Sequence, residues 1–122
     1  MMPSRATVDA FVAIVESGDF VGAIERFYTS DASMQENHDT PRVGREVLVA
    51  DERQIMAAFR SIVAKKIGPA AIDGDRVGIC WSFAFTPLEG PIRTLEEIAW
   101  QRWQGEQIVE EKFFYDPKQV GW

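Results

Sequence analysis

Cysteine and histidine are almost absent from this chain of 122 residues, since each occurs once, as Cys80 and His38. One cysteine excludes an internal disulfide and a thiolate metal cluster, and one histidine leaves no spacing typical of a zinc or non-haem iron site. We therefore expect no metal and no nucleotide cofactor. Cys80 lies between apolar residues of a predicted strand, which favours a buried, inert thiol over a nucleophile.

Basic residues and long apolar runs are also scarce. The 13 lysines and arginines face 19 aspartates and glutamates, a net charge of −6 that argues against a nucleic-acid partner. No segment approaches the roughly 18 apolar residues of a membrane span, and the first residues lack the apolar core of a signal peptide. We expect no membrane partner and a cytoplasmic location. The apolar content of 46% is typical of one globular domain, over residues 1–122.

The first half of the chain is predicted to be mostly helical. Apolar residues recur at helical spacing from Val8 to Val15, and Asp19 is placed to cap a second helix whose apolar side ends at Phe27 and Tyr28. After a turn at 31–32, a strand over 33–38 and a long helix over 46–64 follow. The apolar stripe predicted for the long helix comprises Leu48, Ile55, Met56, Phe59, Ile62 and Val63.

Strands are predicted for the second half, near 70–72 and over 76–86, 93–103 and 107–115, with a hairpin turn at 73–75. Helices that are segregated from a mostly antiparallel sheet make an α+β domain. A sheet this aromatic and strongly twisted is expected to curl around the long helix and to enclose a pocket.

Strand alternation divides the predicted sheet into faces. The bulky face of 76–86 is either pure core or an aromatic wall for a flat apolar ligand; it comprises Val77, Ile79, Trp81, Phe83 and Phe85. On the next strand Glu97, Ala99 and Gln101 share a face. Trp100 with Phe114 predicts either an interface patch or packing beneath the N-terminal helices.

The strand over 33–38 carries the candidate acid-base chemistry, because Met34, Glu36 and His38 share its parity. A carboxylate in an aromatic pocket has a raised pKa, which suits a general base, and an adjacent imidazole could orient it or carry a proton. If this face points to water, both residues are ordinary polar surface, and His38 is then a rim residue.

Three segments, over 16–34, 41–44 and 102–117, resemble the nuclear-transport-factor-2-like superfamily, and more closely its SnoaL-like polyketide cyclase and ketosteroid isomerase group. The resemblance covers nearly the whole chain. It implies a cystatin-like, cone-shaped barrel in which a curved, mostly antiparallel sheet wraps around a long helix, with two N-terminal helices. It also implies a pocket between sheet and helices, and a homodimer formed through the sheet.

The resemblance to the isomerases is partial at the level of site residues. Glu36 stands at the position of the general-base aspartate, one methylene longer. Phe11 stands where the isomerases have an oxyanion-hole tyrosine, and Ala99 where they have a protonated aspartate. Because neither residue donates a hydrogen bond, and one lost donor costs ~3 kcal/mol in comparable sites, a dienolate mechanism of the isomerase type is not expected.

These observations leave three functional hypotheses. The first is a cofactor-independent isomerase, cyclase or hydrolase in which Glu36 and His38 act on a hydrophobic polyketide-, steroid- or terpenoid-like substrate. The second is a non-catalytic ligand-binding or dimeric interaction domain, and the third is a barrel filled by side chains. Glu111 is a further pocket candidate, and the predicted substrate-binding residues are Phe11, Met34, Met56, Phe59, Ile79, Trp81, Phe83, Glu97, Ala99, Gln101, Phe113 and Tyr115.

Overall fold

The computed structural model describes residues 2–120, so that three residues of the predicted domain, Met1, Gly121 and Trp122, lie outside the described part. The elements run, in chain order, α1 (Arg5–Glu16), α2 (Phe20–Phe27), β1 (Tyr28–Glu36), β2 (Arg42–Val43), α3 (Arg45–Ala57), β3 (Phe59–Lys66), β4 (Ala71–Asp73), β5 (Arg76–Pro87), β6 (Arg93–Gln104) and β7 (Gln107–Phe114), followed by a short 3-10 helix (Pro117–Val120). No helix within 2–120 is long and apolar enough to cross a membrane.

The seven strands form one sheet in the order β2-β1-β7-β6-β5-β3, with β4 paired to β5. Every pairing is antiparallel except that of β1 with β7, which is parallel. The predicted α+β fold, with helices packed on a mostly antiparallel sheet, is confirmed. The parallel pairing joins the first strand to the last, a contact that the predicted meander did not contain.

The two N-terminal helices begin at side-chain caps, as the sequence predicts for the second. Ser4 caps α1 by accepting the Thr7 N–H at 3.1 Å, and Asp19 caps α2 by accepting the Gly22 N–H at 2.9 Å. An N-cap oxygen satisfies one of the free N–H groups of the first turn. With these ends fixed, the apolar sides of α1 and α2 pack into the core.

The predicted long helix is too long, because α3 ends at Ala57 and the following residues form β3. This segment pairs antiparallel with β5, with Ile62 opposite Phe85 and Ala64 opposite Phe83. Ile62 and Val63 are β-branched and favour a strand. The apolar positions at 59, 62 and 63 had fitted a helical period by chance, and Val63 points to solvent with 52% of its surface exposed.

The predicted boundaries of the first strand are also wrong. β1 begins at Tyr28, directly after α2, so the predicted turn at 31–32 lies inside the strand, where the pairing register shifts between Tyr28 and Ser33. The strand ends at Glu36, and Asn37, with a positive φ of 49°, starts a turn. His38 therefore lies beyond the strand, and period-two alternation does not extend to it.

The two faces of the central strands have opposite character. Val77, Ile79 and Trp81 of β5 are buried on the inner face, which the helices cover. On the outer face Cys80 is half-buried rather than buried, and an exposed apolar patch comprises Ile98, Trp100 and Phe114. The alternative in which Trp100 and Phe114 pack beneath the N-terminal helices is therefore wrong.

Replacing the cap of α2 tests its contribution to the fold. We expect Asp19→Ala to lower the free energy of unfolding by about 1 kcal/mol, because the Gly22 N–H loses its acceptor. Urea denaturation measures the change, and Glu25→Ala, at an exposed position of the same helix, serves as the control. Equal stability of the two variants would contradict a capping role.

Candidate functional site

A cavity of about 200 Å³ lies between the helices and the inner face of the sheet. All three helices and most strands contribute to its wall, which is largely apolar and aromatic. Its lining residues are Phe11, Val15, Phe20, Ala23, Ile24, Tyr28, Met34, Glu36, Arg42, Leu48, Glu52, Ile55, Ile62, Trp81, Phe83, Phe85, Leu95, Glu97, Glu111, Phe113 and Tyr115. A space of this kind is where a small molecule could bind.

The cavity brings together eight of the residues that the sequence singled out. They are Phe11, Met34, Glu36, Trp81, Phe83, Glu97, Phe113 and Tyr115. On β6 and β7 strand parity was the signal that found them, because side chains two residues apart share a face. Parity also identifies Glu111, the further pocket candidate predicted from the sequence.

The remaining six predicted residues do not line the cavity. Ile79 and Ala99 are fully buried opposite each other in the core. Met56 is partly buried and packs against this core. Phe59 belongs to β3, where its ring packs on that of Phe85 with centroids 5.0 Å apart.

His38 and Gln101 lie outside the lining for opposite reasons. His38 is exposed in the turn after β1, and its Nδ1 is 3.4 Å from Lys112 Nζ on the outside of the sheet. Gln101 is fully buried behind the cavity wall, where it contacts Glu111. The structure thus separates His38 from Glu36, and its predicted catalytic assistance has no contact to support it.

Glu111 of β7 is the centre of a buried hydrogen-bond network. The Tyr28 hydroxyl donates to its Oε1, and Gln101 Nε2 donates to its Oε2 at 2.7 Å. Burial raises the pKa of Glu111 to about 7, against the lowering effect of these two hydrogen bonds. Burial and the neighbouring Glu111 raise the pKa of the Tyr28 hydroxyl well above its ordinary value. Near neutral pH, Glu111 therefore exists in both charge states.

Glu97 of β6 is a second buried carboxyl in the same wall, cross-strand from Trp81. Only 9% of its surface is exposed, and its buried Oε2 has no hydrogen-bond partner among the described residues. Burial, followed by repulsion from Glu111, raises its pKa to about 8. At neutral pH Glu97 is thus mainly protonated, because a buried carboxylate oxygen without a hydrogen-bond donor is unfavourable. The hydroxyl of the neutral acid can donate a hydrogen bond.

Glu36 lies at the rim of the cavity and is held by an ion pair. Arg42 Nη2 lies 3.0 and 2.8 Å from the two carboxylate oxygens of Glu36, and Arg42 Nη1 lies 3.5 Å from Asp51 of α3. Glu52, one residue further along α3, also lines the cavity, and burial raises its pKa. Among residues 2–120 Arg42 is the one basic residue of the lining, so this part of the chain places four carboxyls and one guanidinium in the cavity wall.

Sequence reasoning missed Arg42 and the role of Tyr28. Arg42 comes from a strand of only two residues that no periodicity reveals, and the apolar spacing predicts Tyr28 at the end of a helix rather than at the start of β1. An arginine six residues after Glu36 is a signal for an ion pair only if the chain reverses between them. Within residues 2–120, no three His, Cys, Asp or Glu side chains are grouped so that they could hold a metal ion.

Comparisons with known proteins match this chain through its fold. No family model matches the sequence, and no curated protein matches it. Among solved structures, a Mesorhizobium loti protein named as a SnoaL-like polyketide cyclase is 22% identical, with a TM-score of 0.75 over 90% of this chain and 97% of its own.

Two further structures extend the same likeness. A ketosteroid isomerase-like protein from Catenulispora acidiphila, solved with trimethylamine, is 19% identical (TM-score 0.79; 96% of this chain, 90% of its own). An NTF2-like protein from Burkholderia pseudomallei is 13% identical (TM-score 0.80; 94% and 92%). The predicted superfamily fold is confirmed, and at these identities the likeness concerns the fold alone.

The raised pKa of Glu97 predicts how stability depends on pH. Between pH about 4.5 and about 8 the folded protein keeps a proton that an unfolded glutamate releases, so the stability falls as the pH rises through this window. One such group contributes a slope of at most about 1.4 kcal/mol per pH unit.

Glu97→Gln has no carboxyl to deprotonate, so urea denaturation from pH 5 to 8 is expected to give a shallower slope than in the wild type. Glu96→Gln, at the adjacent exposed position, is the matched control. A slope that is the same in all three proteins would mean that Glu97 ionises in the folded protein as it does in the unfolded chain.

Proposed function

We propose that this protein is a cofactor-independent enzyme that moves a proton on a small, uncharged, mainly hydrophobic carbonyl compound. Glu97 is the general acid, and Glu111, with its Tyr28 partner, is the general base. The observation that carries the proposal is Glu97, a buried carboxyl in the cavity wall whose Oε2 has no hydrogen-bond partner among residues 2–120. Two carboxyls with different environments in one cavity are the usual arrangement for paired acid and base roles.

The acid role follows from the neutral state of Glu97. A protonated carboxyl in an apolar wall can donate a hydrogen bond to a carbonyl oxygen and stabilise the enolate that forms when the neighbouring carbon loses a proton. Glu97 lies two residues before Ala99 on the same face of β6. It therefore offers the hydrogen-bond donor that Phe11 and Ala99 do not provide.

The base role follows from the pKa of Glu111, about 7, close to the optimum for general-base catalysis at neutral pH. Its carboxylate would remove a proton from the carbon next to the carbonyl. In an isomerisation it returns that proton at a second carbon. In a ring closure the enolate attacks a second carbonyl, and Glu97 gives its proton to the alkoxide that results.

The size and charge of the cavity limit the substrate. An engineered cavity of about 150 Å³ binds benzene, so the present 200 Å³ suit a molecule of one or two rings. Among the predicted classes this favours a small terpenoid or polyketide over a steroid. Four carboxyls in the lining disfavour an anionic substrate. A protein with this fold was solved with trimethylamine, which supports small-ligand binding.

Exchange of a ketone's α-hydrogens with heavy water tests the proposal directly. With β-tetralone, a two-ring ketone, as the probe, NMR should detect deuterium incorporation whose rate is highest between about pH 7 and 8, where Glu111 is ionised and Glu97 is protonated. We expect Glu97→Gln and Glu111→Gln each to lower the rate by about a hundredfold or more, and Glu96→Gln to leave it unchanged.

Two other outcomes would change the assignment. Probe binding without exchange in the wild type would favour the alternative, a non-catalytic ligand-binding domain. Glu36 as the general base stays a prediction, and Glu36→Gln tests it in the same assay. Because Glu36 lies at the rim with 33% of its side chain exposed and is paired with the Arg42 guanidinium, whereas Glu111 is buried, we expect a smaller loss than for Glu111→Gln. Complete loss of exchange in Glu36→Gln alone would return the base role to Glu36.

We also propose that two copies of the chain pair through the outer patch of Ile98, Trp100 and Phe114. Trp100 lies flat against β5, 3.6 Å from the position a Cβ would take at Gly78, with the Arg76 guanidinium over its ring. An apolar centre of this kind with a charged rim is typical of protein interfaces.

Sedimentation equilibrium tests the dimer. We expect the wild type to be dimeric at micromolar concentration and Trp100→Lys to be monomeric, because a lysine charge would be buried without a partner. Val63→Lys, at an exposed position of β3, should stay dimeric. A monomeric wild type at tens of micromolar would overturn the proposal.

A further inference from the structure

We propose that Gln101 and Trp103 are positioning residues that hold Glu111 as a carboxylate and thereby set the pH range in which the site acts. This inference rests on the proposed base role of Glu111 and assigns a task to two buried polar residues that do not touch the cavity. Both lie on β6 with the same parity as Glu97, so three inward side chains of one strand would act on one reaction.

The hydrogen bonds fix the orientation of the Gln101 amide. Trp103 Nε1 donates to Gln101 Oε1 at 2.9 Å, and an indole N–H can only donate. The amide oxygen must therefore face Trp103, and the amide nitrogen must face Glu111, to whose Oε2 it donates at 2.7 Å. With the amide turned over, two oxygens would face each other, and the indole N–H would face another donor.

A donor held in this way favours the charged form of Glu111. Gln101 is fully buried and Trp103 nearly so, so no bulk water competes for the carboxylate. Hydrogen bonds to a charged group are stronger than those between neutral groups, and they lower the pKa of the acid they bind. Without the Gln101 donor, burial would keep Glu111 protonated over a wider pH range.

Groups from several elements act on the Glu111 carboxyl, and they act in opposite directions. Glu36 of β1 and Glu52 of α3 raise its pKa by repulsion, while the Tyr28 hydroxyl of β1 lowers it. Glu97 of β6 is repelled by Glu111 in turn. Gln101 and Tyr28 are thus the two groups that oppose burial, and the indole of Trp103 holds only the first of them in place.

The variants Gln101→Met and Trp103→Phe test the inference, with Gln104→Met, at an exposed position of the same strand, as the matched control. Methionine keeps the length of glutamine but donates no hydrogen bond. Phenylalanine at position 103 leaves the Gln101 amide in place but removes the indole N–H that orients this amide. Two quantities are measured in each protein: the titration of the Glu111 carboxyl carbon by NMR, and the pH profile of hydrogen exchange in β-tetralone.

We expect both variants to move the Glu111 titration upward by about one pH unit, with Gln101→Met giving the larger shift, because a hydrogen bond to a charged group is lost. The acidic limb of the exchange profile should move by the same amount. The Gln104→Met protein should match the wild type. An unchanged Glu111 titration in both folded variants would overturn the inference and leave Gln101 a packing residue.

The two measurements separate this inference from the proposed function. If the Glu111 titration shifts while Glu111→Gln still exchanges the probe at the wild-type rate, then Gln101 and Trp103 control the charge of Glu111 but Glu111 is not the base. If Glu111→Gln is inactive and no titration shifts, the base role stands and the positioning role fails.

Discussion

The hydrogen bonds that Glu111 accepts from Tyr28 and Gln101 connect the three strands on which the site depends. Tyr28 opens β1, Gln101 lies on β6, and Glu111 lies on β7 between them. A carboxyl in an apolar interior is costly unless it is hydrogen-bonded or neutral. The parallel pairing of β1 with β7 brings the Tyr28 hydroxyl to a residue 83 positions away, so this strand pairing and the charge of the site are linked.

The difference between Glu111 and Glu97 follows from their hydrogen bonds. Both are buried in the same wall, but Glu111 has a donor on each oxygen, whereas the buried Oε2 of Glu97 has none among residues 2–120. The first environment supports a carboxylate and the second a neutral acid, so repulsion between them is relieved by protonating Glu97. Glu36, at the rim, is instead neutralised by Arg42. Position in the cavity thus gives three glutamates three different electrostatic roles.

Much of the fold and part of the site could be predicted from the sequence. Period-two alternation assigned Trp81, Phe83 and Glu97 to the inner face, because each lies on a long strand with one buried side. It could not reveal the Tyr28–Glu111 contact, since the parallel pairing of β1 and β7 joins distant segments. The apolar residues at 59, 62 and 63 are compatible with a helix and with a strand. The pairing of this segment with β5 determines that it forms a strand. The ion pair of Glu36 with Arg42 could not be predicted, because Arg42 lies in β2, which has only two residues and therefore shows no alternation.

The titration of the glutamate carboxyl carbons in the wild-type protein, followed by NMR, tests the central claim most directly. The account predicts an elevated pKa of about 7 for Glu111 and of about 8 for Glu97, each identified by the loss of its signal in the corresponding glutamine variant. Titration of both residues near pH ~4.3, the ordinary value for glutamate, would contradict the account, because both would then be ionised at neutral pH and the cavity would have no acid to donate a proton.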